Sequence, residues 1–147
     1  MYQPEFFRIE ELLPQRFFEL NQTRGRQLWF LFDDRVLITL DRLRQHYDRR
    51  MIINTWLWDE VNPFNYRGFR PSDCEIGVKF SQHRFGRAID ADIDGMQAHE
   101  VREDIKKNKS DPVFEFITAV EEGINWVHFD VRNWDKEKYG ICFFNPR

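Results

Sequence analysis

Two stretches of this chain exchange apolar and polar side chains at nearly every step: "RAIDADI" (87–93) and "INWVHFDVR" (124–132). A period of two is the signature of a half-buried strand, because successive side chains leave a strand on opposite faces. The fold therefore has to supply a sheet, and what lies between the strands decides its kind. The segment from about Asp33 to Asp48 carries Val36, Leu37, Leu40, Leu43 and Tyr47 three and four residues apart, one apolar helix face. Asp33 and Asp34 suit its N-terminus, and Arg42 and Arg44 lie toward the other end. "MIINTWLW" (51–58), β-branched and aromatic, predicts a further strand. Residues 59–73 are rich in turn dipeptides, and 74–80 read as strand or loop. A charged helix is expected over about 96–107. A second is expected over 110–123, with Ser110 or Asp111 as cap, Pro112 in the first turn and Gly123 as stop. The tail "GICFFNPR" predicts a short edge strand, and residues 5–20, broken by Pro14, predict short irregular or helical pieces. No β-α-β-α alternation emerges. The expected class is α+β, a mostly antiparallel sheet flanked by helices, in one domain spanning 1–147.

Composition matters mainly for what it excludes. Fifteen Phe and five Trp in 147 residues can fill a core. A net charge of −3, with Lys and Arg scattered, gives no nucleic-acid surface. No apolar run is long enough for a membrane span. "MYQPEFFRIEELLP" has acids where a secretory signal has bases, so synthesis in the cytoplasm is expected. Cys74 and Cys142 form no disulfide framework; free thiols or a single bridge both fit.

The chemistry concentrates around the two strands. His83 leads into the first, Asp90 lies on it, and His128 lies on the second. If the strands are neighbours, two imidazoles and a carboxylate converge, a set suited to a zinc ion with an open position; the bland alternative is a solvated turn. "DADIDG" (90–95) imitates the opening of a calcium loop, but the twelfth position is Val101, with Glu100 one residue out of register. Asp92 and Asp94 then read as surface carboxylates, and His46 and His99 as solvated helix residues.

"SQHRFGRAID" has the form S-x-H-x-x-G-x-A-x-D, and "WVHFDVR" the form W-x-H-x-D-x-R. In this order they resemble the peptidase M15 family of zinc D-Ala-D-Ala carboxypeptidases and phage endolysin-type endopeptidases. "LDRLRQHYDRR", "MIINTW" and "YRGFRP" extend the likeness over about residues 33–132. The resemblance implies a Hedgehog/DD-peptidase-like fold and Zn2+ held by His83, Asp90 and His128. It also implies hydrolysis of a peptidoglycan stem peptide, at a bond involving a D-amino acid, by metal-activated water. Arg70 matches the family's arginine after the turn aromatic, which would hold a substrate carboxylate or the developing oxyanion; a surface salt bridge is the alternative. One position departs from the pattern. Many catalytic members have an acid three residues before the second histidine, where this chain has Asn125. Asp130, two residues after His128 and hence on its side of the strand, is the expected base or the residue that orients a zinc histidine. Asn125 leaves a second reading open, a zinc-binding but non-hydrolytic wall-binding or phage structural module.

Overall fold

The computed structural model describes residues 1–146. Among them, helices α1 (Gln15–Asn21), α2 (Asp34–Tyr47), α3 (Ala98–Lys107) and α4 (Lys136–Tyr139) accompany a five-stranded mixed sheet. Its strands are β1 (Met51–Ile52), β2 (Ala88–Ile93), β3 (Ala119–Glu121), β4 (Val127–Asp130) and β5 (Cys142–Phe144), in the order β1-β2-β4-β3-β5. The pairs β1·β2, β2·β4 and β3·β4 are antiparallel, and β3·β5 is parallel. No helix is long and apolar enough to cross a membrane among these residues.

The amphipathic signal of α2 holds. The Asp33 carboxylate accepts from the Arg35 backbone N–H, closing the helix start. Val36, Leu37, Leu40 and Leu43 are fully buried. They join Val101 and Ile105 of α3, Ile89 and Ala91 of β2, and Val127 and Phe129 of β4 in one apolar cluster. Alternation along β2 and β4 thus sends one set of side chains into the core and leaves Asp90, His128 and Asp130 to the other face.

Two expected elements differ. The strand over 51–58 stops at Ile52 because the next residues pair outside the sheet. The Asn54 N–H donates to the Glu11 carbonyl, its side-chain amide donates to the Leu13 carbonyl, and the Trp56 indole N–H donates to the same Leu13 carbonyl. The helix over 110–123 is only a single 3-10 turn, Pro112–Phe114, followed by strand β3. Asp111 does cap its start, accepting from the Val113 N–H. Residues 117–120 are all buried, however, which no one-faced helix allows and an inner strand requires. Gly123, with φ +73°, turns the chain toward β4 instead of ending a helix. The 74–80 segment is loop, and both cysteines are free thiols.

Candidate metal centre

Sheet register alone brings Asp90 and His128 together, for they are direct partners across β2 and β4. His83 arrives from a 3-10 turn, Gln82–Phe85, that precedes β2. Gly86 makes that approach possible. It adopts φ +62°, and a Cβ there would lie 1.8 Å from the Leu31 carbonyl oxygen. Gly68 is needed in the same way, since a Cβ there would lie 2.1 Å from the Leu12 carbonyl oxygen, and it presents its own carbonyl to His83 Nδ1 at 2.7 Å. From the far side, Arg102 of α3 donates to the Ile124 and Trp126 carbonyls and fixes the turn that feeds β4.

The resulting cluster is buried: His83, Asp90 and His128 are 2%, 5% and 7% exposed. Their ligating atoms all lie within 4.8 Å of one another, so the group could hold a metal ion. His83 Nε2 stands 3.3 Å from Asp90 Oδ2, and His128 Nδ1 stands 2.6 Å from Asp90 Oδ1.

Which nitrogens carry protons follows from the partners. A carbonyl only accepts, so His83 donates from Nδ1 to Gly68 and its Nε2 is a lone pair. Burial pushes His83 below its ordinary value, and it is neutral. That lone pair faces a carboxylate oxygen 3.3 Å away, an arrangement that a proton or a metal ion between them would relieve. His128 differs, because Asp90 faces its Nδ1 and Asp130 lies 3.3 Å from its Nε2. Burial opposes charge there too, but the two carboxylates outweigh it and raise His128 to about 9. Without metal, His128 and not His83 holds the proton; with Nε2–H turned to Asp130, Nδ1 is the atom free to bind a metal. Burial likewise opposes ionisation of Asp90, yet the imidazoles facing it hold its carboxyl far below the ordinary range. Two imidazole nitrogens and one carboxylate oxygen, with the outer ring nitrogens fixed by a carbonyl and a carboxylate, are a donor set that fits a divalent transition metal.

Asp130 does share the His128 side of β4, but it stands behind the ring. It is fully buried. Oδ1 accepts from the Arg132 backbone N–H at 3.1 Å and from its Nε at 2.8 Å, while Oδ2 takes the Arg132 Nη2 and faces His128 Nε2. Burial is again opposed, here by the Arg132 guanidinium, which holds Asp130 ionised. Arg132 plays a structural part here, and its guanidinium also covers the Phe144 ring.

Arg70 reaches the cluster from the long loop before it. Its backbone N–H donates to the His83 carbonyl, its Nε to the Tyr66 carbonyl, and its Nη2 to Asp90 Oδ2 at 3.0 Å. It is no free surface arginine. Burial lowers its pKa against the pull of Asp90, but a guanidinium stays cationic in a protein.

Position 125 and the acids around it sort differently. Asn125 is exposed in the turn before β4. Glu121, on β3, points to the cluster: Oε2 is 3.8 Å from His128 Nδ1. Burial lifts its carboxyl above the ordinary value despite His128, and Asp90 adds to the rise. Nothing in the period of "EFITAVEEG", read as helix, could have aimed this residue.

The calcium-loop imitation dissolves. Asp92 pairs with Arg67 at 2.6 Å, Gly95 (φ +72°) makes a tight turn, and Glu100 closes a capping box on Gln97 at the start of α3. His99 is exposed as expected, whereas His46 is paired with Asp104. A concavity of about 670 Å³ is lined by Arg35, Pro112, Phe116 and Lys136 among others and contains none of the cluster.

No protein-family description, curated protein or solved structure matches this chain.

Proposed function

We propose that this protein is a zinc metallopeptidase of the Hedgehog/DD-peptidase type, hydrolysing peptidoglycan stem peptides at a bond involving a D-amino acid. The observation that carries the reading is the His83 lone pair directed at the Asp90 carboxylate beside His128, inside two motifs that resemble those of peptidase M15. Zinc bound there would polarise a peptide carbonyl and make water nucleophilic near neutral pH. The remaining roles fall to this chain. His83 and His128 present one ring nitrogen each, and Asp90 one oxygen. Gly68 and Asp130 hold the two rings by their outer nitrogens. Arg70, anchored at Tyr66, offers positive charge beside Asp90 to a substrate carboxylate or to the developing oxyanion.

Asn125 favours a second reading, a zinc-binding module that recognises cell wall without cutting it, because an amide cannot take a proton from water. The two separate in one assay. Purified protein with one equivalent of zinc is incubated with a panel of muropeptides and stem peptides, and products are followed by mass spectrometry. The peptidase reading expects new amine and carboxylate termini that vanish with a chelator and return with zinc. Retained wall binding with no cleavage across the panel overturns it in favour of the module.

A further inference from the structure

The peptidase reading needs a group that receives the proton of the attacking water, and the chain flanking His128 offers none: Asn125, in the turn before β4, is an exposed amide, and Asp130 stands behind His128 with its oxygens occupied by Arg132. We infer that Glu121, on the neighbouring strand β3, is that group.

Three observations converge on it. The first is the shared face. Ala119 is the register partner of Asp130, so Glu121, two residues further along β3, leaves the sheet on the side of Asp130 and His128. The second is distance. Glu121 Oε2 lies 3.8 Å from His128 Nδ1, the nitrogen turned toward Asp90, yet Glu121 stands outside the trio whose ligating atoms fall within 4.8 Å. That distance would let Glu121 reach a water beside a bound ion while leaving it outside the trio that would hold the ion. The third is freedom. Glu122 is tied to Lys106, Asp92 to Arg67 and Asp130 to Arg132. Among the described residues, the ion pair of Glu121 is with His128 alone, and its side chain is 18% exposed against 8% for Asp90 and none for Asp130.

The water oxygen forms a bond to the scissile carbonyl carbon, and its proton passes to Glu121 Oε2. When the tetrahedral species collapses, the C–N bond breaks and the same proton moves from Glu121 to the leaving nitrogen, so the carboxylate is regenerated.

The inference rests on the peptidase reading, so the experiment keeps the two apart. Wild type, Glu121→Gln and Glu121→Asp are compared by thermal unfolding, by zinc affinity in competition with a chromophoric chelator, and by cleavage of the muropeptide panel. Expected are a folded Glu121→Gln protein with zinc affinity within about threefold of wild type, a loss of turnover of about a hundredfold or more, and partial recovery in Glu121→Asp. Undiminished turnover in Glu121→Gln overturns the inference. So does a loss of zinc affinity of about tenfold or more, which would make Glu121 a fourth ligand. If Glu121→Gln fails to fold, Glu121→Asp decides: wild-type zinc affinity with reduced turnover supports the inference, and full turnover overturns it. A wild-type protein that binds zinc but cleaves nothing overturns the peptidase reading itself, and that result is visible in the wild-type arm alone.

Discussion

His46 and His128 each meet an aspartate across two elements, and the two pairings are built for different ends. His46 Nε2 on α2 lies 3.0 Å from Asp104 Oδ2 on α3, and the same carboxylate takes the Tyr47 hydroxyl at 2.9 Å and the Asn108 amide at 2.6 Å. His46 remains one-third exposed. Each oxygen of Asp104 has a donor, water reaches the group, and the pair staples two helices. His128 is buried, has a carboxylate at each ring nitrogen, and shares Asp90 with a second imidazole whose lone pair is turned inward. Satisfied polar groups need nothing further, whereas a buried set of acceptors facing one another has to be completed by a proton or a metal. The same two residue types therefore give a clip in one place and a group that could hold a metal ion in the other.

The largest effects should fall on the ligands. His83→Ala and His128→Ala should each abolish stoichiometric zinc by elemental analysis, while His46→Ala and Asp92→Asn retain about one zinc per chain. Zinc that survives in both ligand variants would erase the distinction between the two histidine pairs. Next comes the residue behind the ring. Asp130→Asn removes the negative charge behind His128 Nε2, replaces one of two accepting oxygens with an amide donor, and leaves Arg132 without its ion partner. Zinc affinity should fall by roughly tenfold to a hundredfold in chelator competition, together with the melting temperature; unchanged affinity would mean that the ring is positioned by Asp90 alone.

A pH series sharpens the contrast without mutation. His128 is raised to about 9 in the folded, metal-free protein, against about 6.5 in an unfolded chain. A raised value means that the folded state holds the proton more tightly. Its contribution to stability is complete below about pH 6.5 and is lost as pH climbs through about 9. Denaturant unfolding in the presence of a chelator should therefore show stability declining between those values. Zinc-loaded protein should lack that decline, because the metal replaces the proton; a flat metal-free profile would count against a charged His128. The smallest effect belongs to the staple. Asp104→Asn should lower stability by about 0.2–1 kcal/mol, the usual worth of an exposed pair, and leave zinc affinity untouched.

The candidate ligands were readable from the chain because they sit in local patterns. A period of two placed Asp90 and His128 on strands, and a turn with Gly86 placed His83 just before one of them. The helix face of α2 was equally readable, since its apolar spacing and its Asp33 cap are properties of adjacent residues. Residues 110–123 were not. Their Asp-Pro start and charged composition argue for a helix locally, and only the vacant place between β4 and β5 makes a strand the better way to bury Ile117 through Val120. That one override also decides the chemistry of the site. As a helix, the segment could turn Glu121 anywhere; as β3, in register with β4, it brings the Glu121 carboxylate to 3.8 Å from His128. The position of Asp130 shows the same limit from the other side. Strand alternation put it on the correct face, but whether it met the inner or the outer nitrogen of His128 depended on the rotation of the ring and on Arg132, which claims its oxygens. By itself the sequence determined which residues could bind a cation, because ligand type and strand period are written locally. Which carboxylate faces the inner nitrogen of His128 and which stands behind its ring was decided only by the tertiary structure, because face, register and ring orientation are set by partners distant in the chain.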